Sequence, residues 1–116
     1  VYGLRAGLDR FCEQGCEVAS VRLTGGGARS AAWRQMVADI FALPVSVQQV
    51  DEGAALGAAL QALDLETGGQ LQVLVDEHLE LDEARGCEPD GAAVEQYAEL
   101  YADYRRHVAA VSELYS

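Results

Sequence analysis

The sequence predicts an α/β protein with a parallel β-α-β core and additional helices. Two short segments, 18–24 and 45–48, alternate apolar and polar residues as strands do. An amphipathic helical pattern lies between them. This order of strand, helix and strand, with short connections, implies two parallel strands joined by a right-handed crossover. Further helical patterns precede the first strand and follow the second, so the core carries extra helices.

The first helix is predicted from an apolar stripe and a stop signal. Leu4, Leu8, Phe11 and Cys12 recur on one helical face, and Gly15 can end the helix in a left-handed cap. The first strand follows over residues 18–24, with every second residue apolar.

The second helix begins after the glycines, and we expect Ser30 to be its N-cap. Its apolar stripe consists of Trp33, Met36, Val37, Ile40 and Phe41. The pair Leu43-Pro44 ends it, because the residue before a proline is disfavoured in the helical region. Val45 and Val47 then alternate with polar residues in the second strand.

The third helix, over residues 50–64, contains GAALGAALQAL and has no polar face. Such a helix is expected to be buried on most sides, and Gly57 to mark the close approach of a neighbour. Asp51 and Glu52 lie in or near its first turn, where negative charge suits the helix dipole.

The C-terminal part predicts a short helix over 70–79, irregular acidic chain to the turn at 89–91, and a long last helix. The stripe of that helix is Val94, Tyr97, Tyr101, Tyr104, Val108 and Val111. We interpret the tyrosines as core packing and His107, which lies off the stripe, as a surface residue.

Composition excludes several classes of partner. Nineteen acidic residues against eight arginines give a net charge of −11, which repels nucleic acid and anionic membranes. The longest uncharged run, 53–63, is far shorter than the roughly 20 residues of a membrane helix, and no signal pattern precedes it. We therefore expect a cytoplasmic protein.

Cys12, Cys16 and Cys87 are expected to be reduced, buried thiols rather than part of a zinc site with His78.

The block Thr-Gly-Gly-Gly between the first strand and the second helix is the main functional signal, because bare backbone lets a ligand approach closely. Gly25, Gly27 and Ser30 match a dinucleotide-binding fingerprint except at the last position, and Asp51 stands where a ribose-binding acid belongs. A phosphate-binding P-loop is excluded, because the chain has no lysine. A purely structural turn stays a third interpretation.

The stretch LTGGGARSAAWRQMVADIFALPV, followed by Glu52 and ALGAALQAL, resembles the C-terminal part of the FGGY family of carbohydrate kinases, in particular its xylulokinase branch. The opening VYGLRAGLDRF and the closing PDGAAVEQYAELYADYRRHV are similar to that family too. The resemblance implies a ribonuclease-H-like, actin-like ATPase fold with two lobes. Residues 1–116 would form the C-terminal part of the second lobe, without its upstream strands and without the N-terminal lobe.

The resemblance also implies an ATP site on the glycine block. Gly25, Gly26, Gly27 and Ala28 would lie against the adenosine side of the nucleotide, with backbone near the α-phosphate. Ala31 would occupy the position of an asparagine that touches adenine in related glycerol kinases, so base recognition here would depend on shape. Glu52, which is not among these contact residues, would brace the loop.

The implied function is the phosphorylation of a pentulose, D-xylulose to D-xylulose 5-phosphate, by ATP. The family's aspartate base, phosphate loops and magnesium site lie upstream, so we expect no catalytic and no metal-binding residue in this chain. Alone, it should be inactive, bind ATP no better than at millimolar concentration, and self-associate through an unpaired strand edge. A nicotinamide-dependent oxidoreductase domain and a non-catalytic interaction module are the alternatives.

Overall fold

The computed structural model describes residues 1–50 and 53–115. Its strands are β1 (Val21–Leu23) and β2 (Val45–Val47), and its helices are α1 (Tyr2–Glu13), α2 (Ala31–Phe41), α3 (Gly53–Thr67), α4 (Leu71–His78) and α5 (Gly91–Glu113). Short 3-10 turns lie at Gly26–Arg29 and Glu83–Arg85. The order confirms the predicted β-α-β unit with helices before and after it.

The two strands pair in parallel, with Val21 opposite Val45 and Leu23 opposite Val47. On its other side, β2 forms antiparallel bridges, Val45 to Cys87 and Gln48 to Leu81. The Val45 amide donates to the Cys87 carbonyl at 2.8 Å, and the Cys87 amide donates back at 2.9 Å. These bridges lie in the segment predicted to be irregular, because single bridges leave no alternating pattern in a sequence. Among the described residues, β1 is therefore the edge of the sheet.

The core forms where α2 packs on the sheet. Its buried residues are Val37, Ala38, Ile40, Phe41 and Val45. This confirms most of the predicted α2 stripe, whereas Met36 is half-buried and Trp33 is 39% exposed. The helix ends as expected before Pro44, and Ala42 takes the left-handed conformation with φ 53°.

The C-terminal end of α1 has the predicted glycine cap, and the start of α5 has an aspartate cap that was not predicted from the sequence. Gly15 is left-handed with φ 86°, and the Cys16 amide donates to the Phe11 carbonyl at 3.1 Å, as in a Schellman motif. At the start of α5, the Asp90 side chain accepts from the Ala93 amide at 2.9 Å. Of the predicted α1 stripe, Leu8 packs on the core, whereas Phe11 is exposed.

A polar contact joins α1 to α5. The Tyr101 hydroxyl donates to Asp9 Oδ2 at 2.6 Å, and Arg5 forms a 2.9 Å ion pair with the same carboxylate. Partial burial acts to raise the pKa of Asp9, but the hydrogen bonds from Tyr101 and Arg5, with the positive charges of Arg5 and Arg105, outweigh it and hold this pKa below its ordinary value. The Tyr2 ring of α1 lies 5.8 Å from that of Tyr101. The core packing predicted for the α5 stripe is confirmed only in part, because its tyrosines are half-buried whereas Val108 and Val111 are exposed.

The burial predicted for α3 is wrong within the described residues. Leu60 is buried, but the exposed positions of this helix include Ala54, Ala55, Gly57, Ala58, Ala59, Ala62 and Leu63. Nothing among residues 1–50 and 53–115 lies within 4 Å of the position that a Gly57 Cβ would take. The close approach predicted at Gly57 is therefore absent from this part of the chain. Asp51 and Glu52 lie outside the described residues.

The cysteines are less buried than expected. Cys12 and Cys16 are exposed, and Cys87 is half-buried with its Sγ 3.7 Å from the Arg85 carbonyl oxygen. Across the described ranges, no three His, Cys, Asp or Glu side chains come close enough together to hold a metal ion. A search of the same ranges found no helix with the length and hydropathy to cross a membrane.

Candidate functional site

The glycine turn, residues 25–29, leaves the carboxyl end of β1 and leads into α2. Ligands of parallel α/β proteins commonly bind at this end of the strands. The start of α3 comes to the same place, since a Cβ on Gly53 would stand 2.8 Å from Thr24 Oγ1 and 3.4 Å from Gln48 Oε1. The structure thus brings together the ends of both strands, the glycine turn and the first residue of α3.

Gly25 is required by the backbone. Its φ of 78° and ψ of −163° lie in a region that is essentially restricted to glycine. The next residues form a 3-10 turn, in which the Ala28 amide donates to the Gly25 carbonyl at 3.0 Å. Gly25 therefore sets the direction in which the chain leaves β1.

At position 26, neither the backbone conformation nor the packing of the described residues requires a glycine. Its φ is not positive, and the residue is exposed. Beyond its chain neighbours, no atom of the described residues lies within 4 Å of where its Cβ would stand. Open space in front of bare backbone is the feature that a closely packed ligand needs.

At Gly27, the space that a side chain would take is filled by another residue of the protein. A Cβ at this position would lie 2.8 Å from Trp33 Nε1 and 2.9 Å from Trp33 Cδ1. The Trp33 indole thus packs against the turn, which explains its exposure outside the core. Sequence reasoning had assigned Trp33 to the core stripe, because the spacing along α2 does not reveal that its first turn reaches back over the glycines.

Ala28 and Ala31, the other two predicted contact residues, lie in different environments. Ala28 is 2% exposed, so its methyl group faces the protein interior. Ala31 is exposed as the first residue of α2. Ser30 between them caps α2 as predicted, accepting from the Trp33 amide at 3.3 Å. Of the predicted contact residues, Gly25, Gly26 and Ala31 are therefore the exposed ones.

Arg34 is a residue of this site that sequence reasoning missed. It is 8% exposed, and its Nη1 donates to the Ala28 carbonyl at 2.7 Å. Its Nε is buried and has no hydrogen-bond partner in the part of the chain that the structure describes. The only sequence signal was a charged residue next to the apolar stripe of α2, which usually marks a solvated position.

The carboxylate of Asp39 has a structural role. Asp39 is 5% exposed, and its Oδ1 accepts from Gln35 Nε2 at 2.9 Å and from the Asp90 amide at 2.8 Å. These bonds fix the start of α5 on α2. In α3, the Asp64 backbone carbonyl accepts from the Gly68 and Gly69 amides, each at 3.0 Å, whereas its Oδ1 is buried without a hydrogen-bond partner among the described residues.

Comparison with known proteins shows the family to which the chain is similar. A family model described as the C-terminal domain of the FGGY family of carbohydrate kinases matches residues 1–63. A xylulose kinase of Haemophilus influenzae is 40% identical over 114 residues, which are 98% of this chain and 22% of that protein. An L-xylulose/3-keto-L-gulonate kinase of Escherichia coli is 34% identical over 104 residues, 90% of this chain and 21% of that protein.

A solved structure has the same fold. The ligand-bound xylulose kinase from Lactobacillus acidophilus superposes with a TM-score of 0.67 at 23% identity, covering 87% of this chain and 21% of that one. This confirms the α/β class and the actin-like ATPase fold. The chain spans about a fifth of the length of the relatives that it matches. On the family match and the 40% identity, the chain belongs to the FGGY family of carbohydrate kinases.

Proposed function

We propose that the full-length protein is an ATP-dependent carbohydrate kinase that phosphorylates a pentulose, converting D-xylulose to D-xylulose 5-phosphate. The observation that carries this proposal is the 40% identity, over 98% of the chain, to a protein named xylulose kinase. A Streptomyces rubiginosus protein of the same name is 44% identical over 69 residues. Because the chain belongs to a kinase family, we favour this function over a nicotinamide-dependent oxidoreductase and over a non-catalytic interaction module.

In this proposal the glycine turn is the ATP-binding part of the chain. Gly26 offers exposed backbone with free space in front of it, and Gly25 and Ala31 are exposed as well. Gly27 and Ala28 then act mainly by shaping the turn, since Trp33 and the interior occupy the space at their Cβ positions. The nucleotide's adenosine side would pack on this surface through backbone and van der Waals contacts.

The remaining chemistry belongs to segments other than residues 1–116. Phosphoryl transfer requires loops around the phosphates, magnesium and a base for the sugar hydroxyl. Asp39 is committed to the contact with α5, so we propose that the base and the magnesium site lie elsewhere in the protein. The chain alone should not consume ATP in response to a sugar, and it should bind ATP no better than at millimolar concentration. Its edge strand β1 favours self-association.

The proposal is tested by measuring ADP release from the purified full-length protein with ATP, magnesium and each of three sugars. D-xylulose should give the highest kcat/KM. L-xylulose is the second candidate, because two relatives named for it are 30% and 34% identical over 98% and 90% of the chain. A higher kcat/KM with L-xylulose would change the proposed substrate, but the protein would still be a carbohydrate kinase. Absence of substrate-dependent ADP release with D-xylulose, L-xylulose and 3-keto-L-gulonate, the other compound in the name of the Escherichia coli relative, would refute the proposal.

A further inference from the structure

We infer that Arg34 is a positioning residue for ATP binding, which holds the glycine turn in the shape that presents Gly26 to the nucleotide. The inference rests on the proposed function, because it concerns the same site. It does not place Arg34 in contact with ATP. It assigns the residue a role through the Ala28 carbonyl, to which its Nη1 donates at 2.7 Å.

The contact with Ala28 links the turn to the core. Within the turn, two local backbone bonds hold the chain: Ala28 amide to Gly25 carbonyl at 3.0 Å, and Ser30 amide to Gly27 carbonyl at 3.3 Å. The Arg34 bond comes instead from α2, three residues before the fully buried Val37. This bond therefore fixes the turn relative to α2, which is itself held in the core.

The chemistry of the contact suits this role. A hydrogen bond from a charged guanidinium is roughly twice as strong as one between neutral groups. Arg34 is 8% exposed and Ala28 is 2% exposed, so water competes little for the bond. Trp33, the preceding residue, packs on Gly27. Two consecutive residues of α2 thus hold two consecutive residues of the turn, and Gly26 immediately before them stays open.

The cost of burying Arg34 also favours a function beyond packing. Its Nε is buried without a hydrogen-bond partner in residues 1–50 and 53–115. An unpaired buried polar group destabilises a fold, whereas a methionine of similar length would fill the space without that cost. Residues that break a local packing rule in this way tend to occur at functional sites.

The test compares Arg34→Met and Arg34→Lys in the full-length protein. Met removes the charge and the donors, whereas Lys keeps the charge and one possible donor. We expect Arg34→Met to raise both the Kd and the KM for ATP about tenfold, from the loss of one charge-assisted hydrogen bond that fixes the site. The KM for the sugar should stay within about twofold, and Arg34→Lys should recover part of the ATP affinity.

Two control variants separate positioning from stability. Val37→Ala weakens the same helix by creating a cavity in the core, so it should lower the melting temperature without a selective effect on ATP. Arg10→Met removes an exposed arginine of α1, whose partner is Glu13, and should leave both substrates unaffected. If Val37→Ala and Arg34→Met changed the ATP and sugar constants in the same proportion, Arg34 would be merely structural.

Direct titration with ATP keeps this inference distinct from the proposed function. If the wild-type protein binds ATP but phosphorylates none of the tested sugars, the substrate assignment fails while the Kd values of the Arg34 variants still test the inference. An ATP Kd within twofold of wild type for Arg34→Met would overturn the inference even in an active kinase. A wild-type protein that does not bind ATP would overturn both.

Discussion

The glycine turn and helix α3 have similar compositions, rich in glycine and alanine, but differ in what surrounds them. In the turn, the Gly27 backbone is packed by the Trp33 indole and Ala28 is buried. In α3, Gly57 faces open space in the described structure, and Leu60 is the buried residue of the helix. Small residues were expected to mean close approach in both regions.

A position can require glycine for several physical reasons, which only the surroundings of the residue distinguish. Gly25 is fixed by its backbone angles, Gly27 by a neighbouring ring, and Gly53 by the Thr24 hydroxyl. At Gly26 and Gly57, neither the backbone angles nor a neighbouring atom of the described residues requires a glycine. Gly26 lies at the carboxyl end of a parallel strand, where ligands bind, whereas Gly57 lies within a helix. Substitutions at these positions should therefore have effects of different size and kind.

The largest loss of stability is expected from Gly25→Val. A β-branched residue cannot adopt φ 78° with ψ −163° without strain, which we expect to cost about 3 kcal/mol of unfolding free energy. Chemical denaturation of the full-length protein measures this. A change below about 1 kcal/mol would mean that the turn can take another conformation.

Gly27→Val should have the next largest effect, and for a reason that differs from the one that the sequence suggests. Its Cβ would lie 2.8 Å from Trp33 Nε1, so the indole must move, at a cost of about 1–3 kcal/mol. The KM for ATP should rise as well, because the turn shifts. Combining it with Trp33→Ala should restore most of the stability. No recovery in the double variant would show that Trp33 is not the obstacle.

Gly57→Leu should have the smallest effect on stability. Leu is the better helix former by roughly 1 kcal/mol, and no described atom obstructs it, so the melting temperature of residues 1–116 should stay equal or rise slightly. Far-UV circular dichroism during heating measures this. A clear fall would contradict the open placement of Gly57.

The sequence predicted the features that depend on local patterns. The strands, the caps at Gly15 and Ser30, and the core stripe around Val37 follow from period and capping chemistry. The failures concern contacts between distant segments. The Cys87 bridge to β2 leaves no local pattern. The role of Arg34 depends on a carbonyl six residues earlier.

The exposure of α3 could not be predicted either, for a physical reason. An apolar helix requires burial somewhere, but its sequence does not state which segment covers it. The glycine turn lies between the first strand and the second helix, as the sequence predicts. The residues around it indicate the family of the protein. Which of its glycines is open to a ligand depends on where Trp33 lies, and this only the structure shows.

We propose that ATP packs against the open backbone of Gly26. The most direct test is the KM for ATP of Gly26→Val in the full-length protein, with Gly7→Val as a control at another position that is open among the described residues. We predict that Gly26→Val raises the ATP KM about tenfold with the sugar KM within twofold and an unchanged melting temperature, because the side chain occupies ligand space alone. Gly7→Val should change neither constant. An ATP KM within twofold of wild type, or an equal rise in both constants, would contradict the claim.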